Sequence, residues 1–237
     1  MQEQHIASAF DRDLEALQAN IMKMGGLVEA SILDAAKALV DRDIELAETV
    51  RNSDSAIDDL EDIINEDAAR VIAMRQPMSS DLRIILAVMK VSGALERIGD
   101  YAKNIAKRTT VLAETPPING SEQSLKRMAR EVETMLRDVL DAFIQRDAEL
   151  AADVRERDHS VDQMYNAMFR EFLTHMMEDP RNITACMHLH FIAKNIERMG
   201  DHATNIAEEV IYLVTGEHPD ESRKKGATAP GIDRAGT

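Results

Sequence analysis

The sequence predicts an all-α fold of two tandem three-helix bundles related by an internal pseudo-two-fold repeat. Composition, breaker placement and a self-match carry this expectation. Of 237 residues, 44% are hydrophobic but only 3% are aromatic, with no Trp, 10 Gly and 6 Pro. That mixture suits long helices. Proline cannot sit inside a helix without breaking it. Pro77 and Pro180 stand 103 residues apart, as do Pro116 and Pro219, and no Gly or Pro falls between Gly26 and Pro77. The segment ALERIGDYAKNIA at 94–106 matches NIERMGDHATNIA at 195–207 with an offset of 101. Upstream, RDIELA at 42–47 matches RDAELA at 146–151 with an offset of 104, so three residues are deleted near the second hairpin. Doubled segments of this length mark a repeat architecture.

The elements follow from the breakers and the period. Helices are expected near 8–40, 43–75 and 80–113, then near 121–145, 147–178 and 182–215. The first repeat spans 8–115 and the second 120–216. Ser79, Ser80 and Asp81 offer N-caps after Pro77, Ser121 and Ser124 do so after Gly120, and Gly216 closes the last helix. Ile84, Val88, Val91, Leu95, Ile98, Ala102 and Ile105 step alternately by four and three. Ala185, Leu189, Ile192, Ile196, Met199, Ala203 and Ile206 repeat that seam. Such seams pack helices into bundles. The 14 Met residues read mostly as core filling, and Cys186 as buried. Residues 217–237 hold little to bury and are expected to be a disordered tail.

Charge and cysteine usage narrow the functions. The formal charge is -15, from 43 acidic and 28 basic residues, which disfavours nucleic acid. One cysteine cannot form an intramolecular disulfide, so nothing points to an oxidising compartment. No run of about 18 apolar residues suggests membrane insertion. The N-terminal MQEQH has neither a basic nor an apolar signal region, so a cytoplasmic location is expected. No GxSxG, phosphate loop, CxxC or HExxH occurs, so no catalytic residue and no nucleotide chemistry is expected.

The carboxylates carry the functional signal. Glu96, Asp100 and Asn104 stand at i, i+4 and i+8, and Glu197, Asp201 and Asn205 repeat them. A second set is Asp54, Asp58 and Asp62, repeated as Asp158, Asp162 and Asn166. Facing residues of an antiparallel helix pair share a constant index sum, because both helices rise equally per residue. Asp54 with Asn104, Asp58 with Asp100 and Asp62 with Glu96 share the sum 158, centred beside Pro77. The second-half pairs share 363, centred beside Pro180. Facing carboxylates require neutralisation. Oxygen donors suit a hard or borderline cation. Arg97, Arg198 and Lys103 offer the alternative of a solvated acidic face closed by salt bridges. The doubling across helices and halves favours metal. Gly99 and Gly200, beside the acids, allow close helix approach. His202 replaces Tyr101 and reads as a rim residue.

The doubled Glu-Arg-(Ile/Met)-Gly-Asp-x-x-x-Asn-Ile-Ala resembles the PhoU family of bacterial phosphate-signalling proteins. So do the run Pro77, Asp81, Leu82, Arg83 and the ending Ile211, Tyr212, Thr215, Gly216. The resemblance spans roughly 8–216. It implies two three-helix bundles and a cytoplasmic, often homodimeric, negative regulator of phosphate uptake and starvation signalling rather than an enzyme. The implied partners are the ATPase subunit of the phosphate ABC transporter and a membrane sensor histidine kinase, which recruit the protein peripherally to the inner membrane. It also implies metal ions (iron, zinc, magnesium or manganese) on Asp54/Asp58, Glu96/Asp100, Asp158/Asp162 and Glu197/Asp201. Asn166 in place of Asp62 departs from a strict repeat, and Lys107-Arg108 stands where the second half has Glu208-Glu209. An accessory protein of another phosphate transporter is the alternative. A di-metal carboxylate enzyme would need two Glu-x-x-His motifs, and only Glu156-x-x-His159 occurs, with Asn52-x-x-Ser55 as its counterpart.

Overall fold

The computed structural model describes residues 2–118 and 120–219, with side chains from residue 9 onward. Its helices are α1 (Gln2–Asp41), α2 (Ile44–Ser53), α3 (Ser55–Arg75), α4 (Ser80–Leu112), α5 (Ser121–Gln145), α6 (Ala148–Glu178) and α7 (Ile183–Thr215). A single 3-10 turn, Pro180–Asn182, precedes α7. There is no strand among the described residues.

The first turn of each half uses the repeated Arg-Asp. Arg42 and Arg146 both take left-handed backbone, with φ of 54° and 55°, and end the preceding helix. The next residue caps the following one. Asp43 accepts from the Leu46 amide at 3.0 Å, and Asp147 accepts from the Glu149 and Leu150 amides at 2.9 and 3.0 Å. Two residues thus turn the chain through a hairpin. The second turns differ between halves. Gln76, at φ 50°, closes α3, whereas Asp179 caps the 3-10 turn by accepting from the Arg181 amide. Ser79 sits at the α4 start with φ 52° and makes no side-chain cap. Gly120, at φ 82°, precedes α5, and Ser121 is buried with its hydroxyl on Glu171.

The expected helix over 43–75 is interrupted at Asp54. Its backbone stays helical, with φ -58° and ψ -37°, but the Ile57 amide donates three residues back to the Asp54 carbonyl. The Ser53 and Ser55 hydroxyls flank the break and donate to the Val50 and Asn52 carbonyls. Such back-bonding competes with the helical ladder. The counterpart, α6, lacks the serine pair and runs unbroken.

Each half packs as the repeat requires: α2 and α3 against α1 and α4, and α6 against α5 and α7. The halves join through α4 on α7 and α1 on α5. Four helices form the centre, and α2, α3 and α6 flank it. The α4 seam is sealed, with Val88, Val91, Leu95, Ile98 and Ala102 all fully buried. Each such Leu or Ile contributes on the order of 1.5–3 kcal/mol. The pseudo-two-fold shows at side-chain level along α4 and α7. The repeat partners Tyr101 and His202 bring their rings within 5.7 Å at its centre. To one side Lys90 pairs with Glu209 at 2.6 Å, and to the other their counterparts Phe191 and Arg108 meet at 4.4 Å. Cys186 is buried. The methionines divide: Met24, Met128, Met135, Met168 and Met199 are core, whereas Met74, Met78 and Met177, near the turns, are 67%, 78% and 77% exposed. The tail expected over 217–237 lies, from residue 220 on, outside the described residues. His218 stacks on Tyr212 at 4.0 Å.

Candidate functional site

The first acidic ladder lies where α2 and α3 run against α4. Gly99 sets the approach. A Cβ there would stand 3.0 Å from Ile57 Cδ1 and 3.6 Å from Asp54 Oδ1. The bare backbone lets Asp54 be buried to 4% exposure at the helix break. Lys103, one turn along α4, donates from Nζ to Asp54 Oδ2 at 2.5 Å and lies 3.7 Å from Asp100 Oδ1. The hydrogen bond to Asp54 raises the affinity of that ammonium for its proton. Partial burial, then the charge of Asp54, holds Asp58 above the usual carboxylate range, with Asp100 adding to the effect. Burial does the same for Glu96, followed by Asp100, with Glu61 and Asp58 close enough to contribute. Arg97 leans back along its own helix toward Glu96 and Asp100, at 3.4 and 3.7 Å.

The ladder is therefore Asp54, Asp58 and Glu61 against Lys103, Asp100 and Glu96. The strict i+4 stripe runs on instead to Asp62 and Asn104, which are exposed, as Asp58 is. An α-helix has 3.6 residues per turn, so each i+4 step overshoots a full turn by about 40°, and two steps drift by about 80°. A step of four then three returns to the same face. That step selects Glu61 rather than Asp62, and Lys103 rather than Asn104.

The second hairpin obeys the same rule. Asp158 is 7% exposed, and a Cβ on Gly200 would stand 3.0 Å from its Oδ1. Burial is the main cause of the raised Glu197 carboxyl, with Asp201 and Asp162 near enough to push it further. Asn205 is exposed and lines a separate cleft of about 270 Å³ with Lys90, His202 and Glu209. In the places of Glu61 and Lys103 stand Tyr165 and Thr204. Lys194 lies 5.2 Å from the Tyr165 ring centre and pairs with both Glu197 oxygens, at 2.7 and 2.6 Å. Thr204 is buried and donates to the Gly200 carbonyl of its own helix at 3.0 Å.

The donor type in both ladders fits an oxygen-seeking cation. Their side-chain placement is a row of pairs, and among the described residues no three His, Cys, Asp or Glu side chains gather as a ligand set. In the first hairpin a lysine ammonium already bridges two of the carboxylates. In the second, Lys194 engages Glu197, and Asp158, Asp162, Glu197 and Asp201 match such a cation by donor type and by lying on facing helices.

Larger clefts lie at the bundle end near the α3–α4 turn. One of about 580 Å³ is lined by Leu82, Arg83, Leu86, Lys90, Glu209 and Tyr212. Arg83 sits over the Tyr212 ring at 5.1 Å. No helix among the described residues is long and apolar enough to cross a membrane.

Known proteins share this arrangement. The PhoU domain model matches residues 21–109 and 125–210, one match in each half. The chain is 47% identical over 225 residues to the "Phosphate-specific transport system accessory protein PhoU homolog" of Rhizobium meliloti, covering 95% of both chains. It is 46% identical over 222 residues to the protein of the same name from Caulobacter vibrioides, covering 94% of this chain and 96% of that one. The crystal structure of PhoU from Pseudomonas aeruginosa superposes with a TM-score of 0.84 at 41% identity, over 88% of this chain and 100% of that one. The phosphate transport system regulatory protein PhoU from Streptococcus pneumoniae gives 0.83 at 33% identity, over 89% and 99%.

Proposed function

The chain belongs to the PhoU family, and from that premise we propose that it serves the phosphate-specific transport system as a regulatory adaptor. It links the ATPase subunit of the phosphate ABC transporter to the membrane sensor histidine kinase and represses the starvation response while phosphate is plentiful. It works in the cytoplasm as a homodimer and reaches the membrane through these partners. The observation that carries the reading is end-to-end similarity, at 47% identity over 95% of both chains, to a protein named as an accessory of that transport system. An adaptor offers surface rather than an enclosed reaction chamber. The ladders suit that role, because Asp58, Arg97 and Arg198 are exposed on the outer faces of the helix pairs.

The test is a pull-down with the full chain from cells grown in high phosphate. Recovery of the transporter ATPase and the kinase supports the adaptor. Recovery of neither, with the chain folded and expressed, defeats it.

A divalent or trivalent metal belongs to the same proposal. Asp158, Asp162, Glu197 and Asp201 would hold it, and bound there it would supply positive charge and tie α6 to α7. Asp201→Ala should lower bound iron, zinc or manganese by at least half in elemental analysis while leaving the far-ultraviolet circular dichroism unchanged. Unaltered metal content removes the assignment.

A further inference from the structure

The two hairpins are built from one repeat, yet their counter-charges differ: Lys103 serves the first, whereas in the second Thr204 takes its place and Lys194 pairs with Glu197 instead. In the first hairpin the facing row of α4 runs Glu96, Asp100, Lys103. In the second the same row runs Glu197, Asp201, Thr204. We infer that Lys103 is the resident cation of the first ladder and keeps divalent metal out of it, so that metal uptake at this hairpin is suppressed in the native chain.

The geometry supports this in three ways. The Lys103 ammonium lies 2.5 Å from Asp54 Oδ2 and 3.7 Å from Asp100 Oδ1, so it joins a carboxylate of each facing helix, as a bound cation would. Its main partner, Asp54, has a side chain only 5% exposed, and a buried carboxylate requires a counter-charge. The lysine stem is anchored on α4 in the row that holds Asp100 and Glu96, so its charge is delivered without the entropy loss of capturing a free ion. Divalent metal entering between Asp54 and Asp100 would have to displace an ammonium already hydrogen-bonded there. Thr204 carries no charge to place in the corresponding position, and its hydroxyl is engaged with the Gly200 carbonyl.

The inference rests on reading the ladders as cation sites, and the experiment separates the two. Wild type, Lys103→Thr, Asp100→Asn and the double variant Lys103→Thr/Asp100→Asn are stripped with chelator. They are then titrated with Mn²⁺ by calorimetry and melted in chelator. Lys103→Thr should bind one more Mn²⁺ per chain than wild type, and the double variant should lose that gain. Asp100→Asn alone should bind as wild type does. In chelator, Lys103→Thr should melt below wild type, and Mn²⁺ should restore it.

Equal uptake by wild type and Lys103→Thr, with Mn²⁺ bound to both, overturns the exclusion. So does wild-type uptake that Asp100→Asn removes, since metal then already occupies the first hairpin beside the lysine; the cation reading survives either result. Absence of Mn²⁺ binding by every variant overturns the cation reading, and the exclusion with it.

Discussion

Gly200 is the residue through which helix packing positions the second ladder, and its replacement by Ala can be worked through. In an open helix, Gly→Ala stabilises by about 1 kcal/mol. Gly26, exposed in the middle of α1, has nothing within 4 Å of where a Cβ would stand. Gly26→Ala should realise that gain, raising Tm by roughly 2–4 °C for a chain of this size. At Gly200 the same methyl would stand 3.0 Å from Asp158 Oδ1, 3.5 Å from Val161 Cγ1 and 3.7 Å from Val132 Cγ2. The last two are ordinary contacts. The first is not, and Asp158 is buried and short, so it cannot swing clear as a long side chain would. Overpacking of this kind costs about 1–3 kcal/mol. Set against the helical gain, the net is a loss of about 1 kcal/mol, and Tm should fall by roughly 2–4 °C. Gly99→Ala should lie between the two, because its 3.0 Å neighbour is Cδ1 of Ile57, the tip of a longer side chain. Thermal unfolding followed at 222 nm in chelator measures all three. A Gly200→Ala protein as stable as Gly26→Ala would refute the argument that close approach requires glycine there.

Two further outcomes concern the turns and the first ladder. Asp147→Ala removes the side-chain acceptor of two α6 amides and should destabilise by about 1 kcal/mol; an unchanged urea midpoint would contradict the cap. Burial, and then Asp100, hold the Glu96 carboxyl above its ordinary 4.5, so the folded chain binds that proton more tightly than the unfolded one. The resulting stability is complete below about pH 4.5 and is lost as pH rises through the folded-state value. Glu96→Gln, neutral throughout, should therefore match wild type near pH 4 and exceed it near pH 7.5. A urea-stability difference of the same size at both pH values would count against the assigned cause.

Much of the fold was legible because its repeat is written twice. The seam from Ile84 to Ile105 alternates steps of four and three, which is the helical period itself, so it places α4 and, through its copy, α7. The acidic stripes step uniformly by four, and over such steps the helix drifts. Uniform steps reach Asp62, Asn104 and Asn205, which are exposed, while Glu61 stands near Glu96 and Lys103 bonds Asp54. The seam's own rhythm, carried onto the acids, reaches both Glu61 and Lys103. The interruption at Asp54 is harder to see, since no glycine or proline marks it. The Arg-Asp turns were visible as a repeated dipeptide, but left-handed backbone at arginine is uncommon, and only the cap that follows explains it. Exposure of Met74, Met78 and Met177 reflects their place beside turns, where an apolar period continues beyond the core.

The most direct test of the regulatory account is a reporter of a phosphate-starvation promoter in cells lacking this protein, grown with abundant phosphate. The account predicts that the reporter is expressed without the protein and silenced when the full chain is restored. A reporter that stays silent in the deletion strain at high phosphate, yet responds normally to starvation, would contradict it.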